Sequence, residues 1–414
     1  MPNQLSNLSI YDLGPVDADG RSLLYAPLAD SSAIVDAADI ARLEAAADGN
    51  TDDAEALDTL HQLSEHQPVA RIRSVADFRN LSILPTNACN FACSYCYSAR
   101  SRSPQTLSWP QVECAIRWFI GMQRTSARPL HITLFGGGEP MLCWEKIVRP
   151  AIKLVEELRK GYPAPIYITL ITNGSILPDD FTEVCLRAKI DLAVSFELLP
   201  ELQNAQRRNY DRVLANLRAL LAAGVVPAIN SVITDLAVDR MPDMVRAAAD
   251  TLAGVRYLAF EPATQPHSPE FYRVFTDGFL EARALAESKD MILSTSALRN
   301  CDVTVERYCA GELALTPAGD LTLCPCISAP DQSGYDRWTY GRVTDDGIEI
   351  DTARLGSLLA IDVDSQPWCR DCFARYNCGG GCLNNTAERG YKPDAAYCDF
   401  FRDFLRRVIL TRTL

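Results

Sequence analysis

The stretch CNFACSYC, residues 89 to 96, sets Cys89, Cys93 and Cys96 at C-x3-C-x2-C spacing with no fourth cysteine close by. A closed tetrahedral metal site takes four ligands. Three thiolates in so short a segment can converge, since a chain spans at most ~3.3–3.6 Å per residue. Thiolate is the ligand of iron–sulfur clusters, and four cysteines complete a cubane. A set of three leaves one iron for a small molecule bearing an amine and a carboxylate. Zinc completed by a histidine is the competing reading, but none of the chain's four histidines falls in this loop.

The loop follows a strand-like run at 81–85 (LSILP), the first of six. The others lie at 131–135, 166–171, 190–195, 226–233 and 256–260. Helical patterns separate them. One spans 109–123, with Ser108 as cap and Val112, Ala115, Ile116, Phe119 and Ile120 on one face; another spans 210–223, with Gly224 as its stop. Strands alternating with helices predict right-handed β-α units and a parallel sheet or partial barrel. Active sites of such folds are built from loops at the C-terminal strand ends. LFGGGEP, 134–140, ends the second strand. Its glycines admit close backbone approach, and the Glu139 carboxylate can receive an ammonium group.

CNFACSYC, GGGEP, ITNG at 171–174 and the β-α alternation together resemble the radical S-adenosylmethionine (SAM) superfamily over roughly residues 80–290. The resemblance implies an α/β fold, a partial (β/α)6 TIM-like barrel. It also implies a 4Fe-4S cluster on Cys89, Cys93 and Cys96, whose open iron binds S-adenosyl-L-methionine. Tyr95 would then lie beside the adenine, and Gly137, Gly138 and Glu139 at the methionyl amine. Ser195 and Glu197, in VSFELLP, stand where the family often has Ser-x-Asp facing the ribose or carboxylate; glutamate is a departure. Arg207 or Arg208 would steady the carboxylate. The implied chemistry is one-electron cleavage of the sulfonium to a 5′-deoxyadenosyl radical that abstracts hydrogen from substrate. An electron donor such as flavodoxin or ferredoxin is implied with it.

Of fifteen cysteines, twelve fall in two sets: the three above, and nine between 301 and 398. The second set reads Cys309-x9-Gly319-x4-Cys324, then Cys369-x2-Cys372-x5-Cys378-x3-Cys382-x15-Cys398. It resembles the SPASM extension of radical enzymes that modify peptides and proteins, with a last gap slightly shorter than usual. By that resemblance one auxiliary 4Fe-4S cluster takes Cys369, Cys372, Cys378 and Cys398. The other takes Cys309, Cys324 and Cys382, with Cys301 as fourth ligand and Cys326 of the CPC run as its rival, making three clusters in all. Structural zinc is the competing reading of the C-x2-C pair. Cys114, Cys143 and Cys185 read as buried thiols in or beside helices. LALTPAGDLTLC, 313–324, predicts a hairpin, followed by a loop-rich, cysteine-dense domain and a closing helix at 399–410.

The expected domains are a β-then-α lobe at 1–70, the barrel at 80–290, the cysteine-rich domain at 300–400 and a C-terminal helix at 401–414. In the lobe, strands are expected at 8–13, 22–27 and 32–35 and helices near 37–46 and 53–64, started by Asp36 and Thr51. EHQPVARIRS, 65–74, links it to the barrel. Residues 1–66 hold thirteen acids against Arg21 and Arg42, a balance of −11 out of the chain's −13. No basic footprint for nucleic acid appears, nor an apolar run near the ~18 residues of a membrane span. The N-terminus does not read as a signal peptide, so the expected location is the cytoplasm, where thiols stay reduced. The lobe resembles the winged-helix leader-recognition element fused to many peptide maturases, in which a leader adds a strand to a sheet edge. The function expected is maturation of a ribosomally synthesised precursor peptide with a leader, through a C–C cyclophane or C–S thioether cross-link. A formylglycine-forming sulfatase maturase and a non-catalytic metal-binding scaffold are the alternatives. Glu261 and Tyr210 are candidate proton acceptors.

Overall fold

The computed structural model describes residues 4–66, 69, 71–309 and 312–414. Gln67, Pro68 and Ala70 of the expected linker lie outside the described residues, as do Ala310 and Gly311 beyond Cys309.

The chain opens with a three-stranded antiparallel sheet of β1 (Tyr11–Pro15), β2 (Ser22–Ala26) and β3 (Ser31–Val35), in that order. Helices Ala37–Ala47 and Ala54–Ser64 follow it. Asp36 caps the first helix as expected, accepting from Asp39 N at 2.9 Å. The second is capped by Asp53, which accepts from Ala56 N at 3.1 Å, not by Thr51. A carboxylate complements the helix dipole where a hydroxyl does not; Thr51 Oγ1 instead accepts from Asp53 N at 3.1 Å. Strand alternation divides the sheet's contacts. Leu24 and Ala26 pack with Leu43 of the lobe, while Leu23 and Tyr25 join the main core.

The main sheet has eleven strands. Seven run parallel in chain order: β4 (Asn80–Ile83), β5 (Leu130–Leu134), β6 (Ile166–Thr172), β7 (Ile190–Ser195), β8 (Ala228–Ile233), β9 (Tyr257–Pro262) and β10 (Ile292–Ser294). The first six are the expected β-α strands, and β10 is a short addition at the edge. Past β4, the sheet continues through the hairpin of β11 (Leu313–Leu315) and β12 (Asp320–Thr322), then β13 (Thr339–Thr344) and β14 (Gly347–Ile350). β11 lies parallel to β4, so the cysteine-rich region extends the barrel sheet directly. Gly319 makes the hairpin turn at φ +84°, a conformation natural to glycine.

A parallel sheet covered on both faces reads as continuous apolar runs. Here one face carries Leu81, Ile83, Ile132, Leu134, Ile168 and Leu170, each fully buried. The opposite face carries Thr133, Thr169, Ser195, Asn230 and Glu261, all half-buried. The inner face is therefore not filled as core and lines a lumen of small polar groups.

Ser108 and Gln111 form a capping box for helix Trp109–Met122, whose buried residues are the five expected. The closing helix, Ala395–Thr413, starts four residues earlier than expected because Asp394 caps it, accepting from Ala396 N at 2.9 Å. Cys398 thus sits in its first turn. Aromatic rings at helical spacing join this helix to helix Pro269–Glu287: Tyr272 stacks on Phe400 at 4.7 Å and Phe279 meets Phe404 at 5.7 Å. Phe404→Ala, at a fully buried position, is expected to cost about 3–5 kcal/mol, measured by chemical denaturation.

Candidate functional site

The cysteine loop leaves the C-terminal end of β4 and the glycine loop leaves β5, and the two are sewn together. Gly138 N donates to Thr86 O at 2.7 Å and Glu139 N to Ala88 O at 2.8 Å. Gly137 adopts φ +65°, and a Cβ on Gly138 would stand 1.8 Å from Ala88 O. Only glycine permits this approach.

The seam brings Glu139 into the interior beside the cysteines, 2% exposed. Thr172 Oγ1 donates to Glu139 Oε1 at 2.6 Å, Met141 N to the same oxygen at 3.1 Å, and Asn173 N to Oε2 at 2.8 Å. A carboxylate offers about four acceptor positions, so room for a further donor remains. Burial pushes the Glu139 carboxyl above its ordinary range, while these hydrogen bonds pull it back. The ITNG turn after β6 thus serves two partners, because Asn173 Nδ2 also donates to Asn90 Oδ1 at 2.8 Å in the cysteine loop. The sequence singled out ITNG without revealing these bonds.

Cys89, Cys93 and Cys96 are free thiols, each half-buried. Burial raises Cys89 and Cys93. Buried polar atoms on or against this loop without a partner include Asn87 Oδ1, Arg102 Nε, Gln206 Nε2 and Arg207 Nε, and orphans of this kind cost roughly 1–3 kcal/mol each.

Glu197, expected to face the ribose or carboxylate, is fully buried. Tyr95 OH donates to its Oε1, Val232 N donates to Oε2 at 3.0 Å, and Arg207 lies 3.7 Å away. Arg207 also donates to Tyr95 OH at 2.6 Å. The longer glutamate side chain reaches a buried arginine that an aspartate would fall short of. Tyr95 is accordingly committed through its hydroxyl to this network. Ser195 ends β7 half-buried, its backbone paired with Asn230. Arg208 lies apart at φ +73°.

Cys301 is one of the two candidates for the fourth ligand of the auxiliary site expected on Cys309, Cys324 and Cys382. Its thiol donates to Ala297 O at 3.2 Å inside helix Ser296–Cys301, and burial pushes it up to about 12. Cys326 instead lines a cavity of about 260 Å³ together with Cys382, Tyr308, Tyr397 and Glu261, between the end of β9 and the cysteine-rich domain. Cys369, Cys372, Cys378 and Cys398 all line a second cavity of about 260 Å³. Burial pushes Cys369 and Cys309 each up to about 12. Among the described residues no three cysteine, histidine or acidic side chains draw together tightly enough to share one metal ion. The four thiols around the second cavity fit the donor set of a 4Fe-4S cluster.

Of the two candidate proton acceptors, Glu261 lines the first cavity while receiving Ser296 N at 2.7 Å and Arg299 Nη2 at 3.0 Å, and the Tyr210 ring stacks on Phe196 at 5.2 Å.

Residues 83–247 match the family model of the Radical SAM superfamily. The chain is similar to a serine-type anaerobic sulfatase-maturating enzyme of Klebsiella aerogenes, 25% identical over 349 residues that cover 77% of this chain and 83% of the relative. Among solved structures it is similar to native anSMEcpe with bound AdoMet and Cp18Cys peptide, at TM-score 0.65 and 16% identity, covering 80% of this chain and 97% of that one. It is also similar to Streptococcus suis SuiB bound to precursor peptide SuiA, at TM-score 0.55 and 13% identity, covering 93% and 99%. These structural likenesses establish the fold. No helix among the described residues is long and apolar enough to cross a membrane.

Gly138→Ala is expected to force the two loops apart, costing about 1–3 kcal/mol from overpacking alone. Thermal unfolding and the loss of Tyr95 and Glu139 burial by hydrogen exchange would register it.

Proposed function

We propose, from the match of residues 83–247 to the radical SAM family model, that this chain is an enzyme that cleaves S-adenosyl-L-methionine at a 4Fe-4S cluster held by Cys89, Cys93 and Cys96, and oxidises a side chain of a peptide. When bound, cluster and SAM together supply a 5′-deoxyadenosyl radical. The chain's own residues hold and orient: Glu139 receives the methionyl ammonium through its remaining acceptor position, and Gly137 and Gly138 keep the backbone clear. Tyr95, Glu197 and Arg207 fix the loop between Cys93 and Cys96. The observation that carries the reading is the seam between the glycine and cysteine loops, which sets a buried carboxylate beside free thiols and unpartnered polar atoms.

Two auxiliary clusters accompany the first, one on Cys369, Cys372, Cys378 and Cys398, the other on Cys309, Cys324 and Cys382. They give an electron removed from a substrate radical somewhere to go, which suits an oxidation. An external donor such as flavodoxin or ferredoxin would supply the initiating electron.

The peptide is a leader-bearing precursor, and the product a C–C or C–S cross-link. Support comes from the N-terminal lobe: SuiB, solved with a precursor peptide, matches 93% of this chain, against 80% for anSMEcpe. β3 is an edge strand, so a leader can add to it; the lobe's −11 charge favours a basic one. Formylglycine formation is the second reading, supported by the name of the K. aerogenes relative. Both products lack two hydrogens relative to a serine-containing substrate, but only formylglycine reacts with a hydrazide probe. Incubating the reduced holoenzyme with peptides encoded beside its gene, then probing for aldehyde, separates the two.

The Cys89, Cys93 and Cys96 to Ala triple variant is expected to form no 5′-deoxyadenosine, yet to keep about eight of twelve iron atoms, as three cubanes less one require. Loss of all iron would overturn the cluster assignment.

A further inference from the structure

We infer that Cys326, not Cys301, completes the metal site of Cys309, Cys324 and Cys382. The inference rests on the proposed function and departs from the order of cysteines along the chain. Cys324 and Cys326 flank Pro325 in a turn closed by Ile327 N donating to Cys324 O at 3.0 Å. Thr322 Oγ1 donates to Cys324 O at 3.0 Å, and Gln332 Nε2 to Cys326 O at 3.3 Å. Both carbonyls are thereby held, and the Cys326 thiol lies against that of Cys324, which in turn neighbours Cys309 and Cys382. Cys301 is 6% exposed, its thiol is bonded within its own helix, and among the described residues it has no other cysteine beside it. Arg412 pins its carbonyl at 3.5 Å and pairs with neighbouring Asp302. To reach those thiols it would have to leave that helix.

The test uses the Cys89, Cys93 and Cys96 to Ala protein, reconstituted anaerobically, as parent. Since three thiolates can hold a cubane, the readout is the spectrum: adding Cys326→Ala is expected to alter the electron paramagnetic resonance signal of one of the parent's two clusters, with or without iron loss, while adding Cys301→Ala leaves signal and iron unchanged. An altered signal with Cys301→Ala, or an unaltered one with Cys326→Ala, overturns the assignment. Should Cys326→Ala fail to fold, Cys326→Ser decides: iron retained with an altered electron paramagnetic resonance spectrum supports it, and an unaltered spectrum overturns it. A parent without cluster iron would fail the proposed function instead.

A separate observation carries a second inference: the N-terminal lobe is seated on the walls of the other auxiliary site. Tyr25 OH donates to Asn377 Oδ1 at 2.9 Å in a buried contact, next to Cys378. Tyr11 packs on Phe373, next to Cys372, with centroids 6.4 Å apart, and Leu28 clusters with Cys369 itself. Arg406, on the helix that carries Cys398, donates to Leu13 O and Pro15 O at 2.9 Å each. All four ligand-bearing segments thus form the lobe's seat, and we propose that occupancy of this metal site holds the lobe in place. In the holoprotein, Cys372→Ala is expected to raise amide exchange of β1 to β3 at least tenfold, whereas Cys382→Ala, which removes a thiol of the other auxiliary site, leaves it unchanged. Unchanged exchange in Cys372→Ala, or an equal rise in both variants, overturns the inference. If Cys372→Ala does not fold, the Cys382→Ala protein before and after removal of its remaining iron by a chelator decides: faster lobe exchange on iron loss supports the coupling, and unchanged exchange overturns it.

Discussion

Two backbone hydrogen bonds, from Gly138 N to Thr86 O and from Glu139 N to Ala88 O, organise the site. They join the loops after the first two parallel strands at a separation that no side chain on Gly138 would permit. Cys89, Cys93 and Cys96 sit on one side of that seam and Glu139 on the other. The cysteine loop cannot move without dragging a buried glutamate, and the glutamate is in turn held by the turn after the third strand. Three strand ends are thereby fixed to one another before any cofactor arrives, the form of preorganisation that lets a site act on a bound group instead of being shaped by it.

The lumen gives that preorganised rim something to open onto. Small polar residues on the inner face cannot close-pack as branched aliphatic ones do in a filled barrel. The space is bounded by the sheet on one side and the cysteine-rich domain on the other, and β11 lying against β4 makes the two domains parts of a single sheet. The closing helix then ties the far side, its phenylalanines against the last barrel helix and its first turn carrying Cys398. Motion of the cysteine-rich domain relative to the barrel would break a strand pairing and an aromatic ladder together, which fixes the spacing between the thiol sets.

Much of this was legible in the sequence because it depends on local periodicity or short spacing. The six strands fall within about two residues of their expected positions, and the capping box at Ser108 and the turn at Gly319 follow from side-chain chemistry alone. What the sequence did not disclose depends on contacts between distant segments. Glu197 reads as a residue facing the ribose or carboxylate, and only the fold shows Arg207 and Tyr95 around it. Cys301 has a plausible place in a cysteine spacing but sits on a helix that directs its thiol at its own carbonyl ladder. Asp53 caps the second helix in place of Thr51, two residues before it, because its carboxylate accepts from Ala56 N while the Thr51 hydroxyl is taken by Asp53 N.

The buried trio of Tyr95, Glu197 and Arg207 bears on why the cysteine loop holds a single shape. A buried ion pair is a poor source of stability, since desolvating both charges offsets most of their attraction. Burial pushes the Glu197 carboxyl up, and Arg207 pulls it back down. Directionality is what such a pair adds: Tyr95, between two of the thiols, has one hydroxyl that must satisfy a guanidinium and a carboxylate at once, and only one placement of the loop does so. An apolar replacement would pack as well but would accept several loop placements, and with them several arrangements of Cys93 and Cys96. The network's value therefore lies in excluding the wrong geometries of the loop, a requirement imposed by the three-cysteine site and not by the fold.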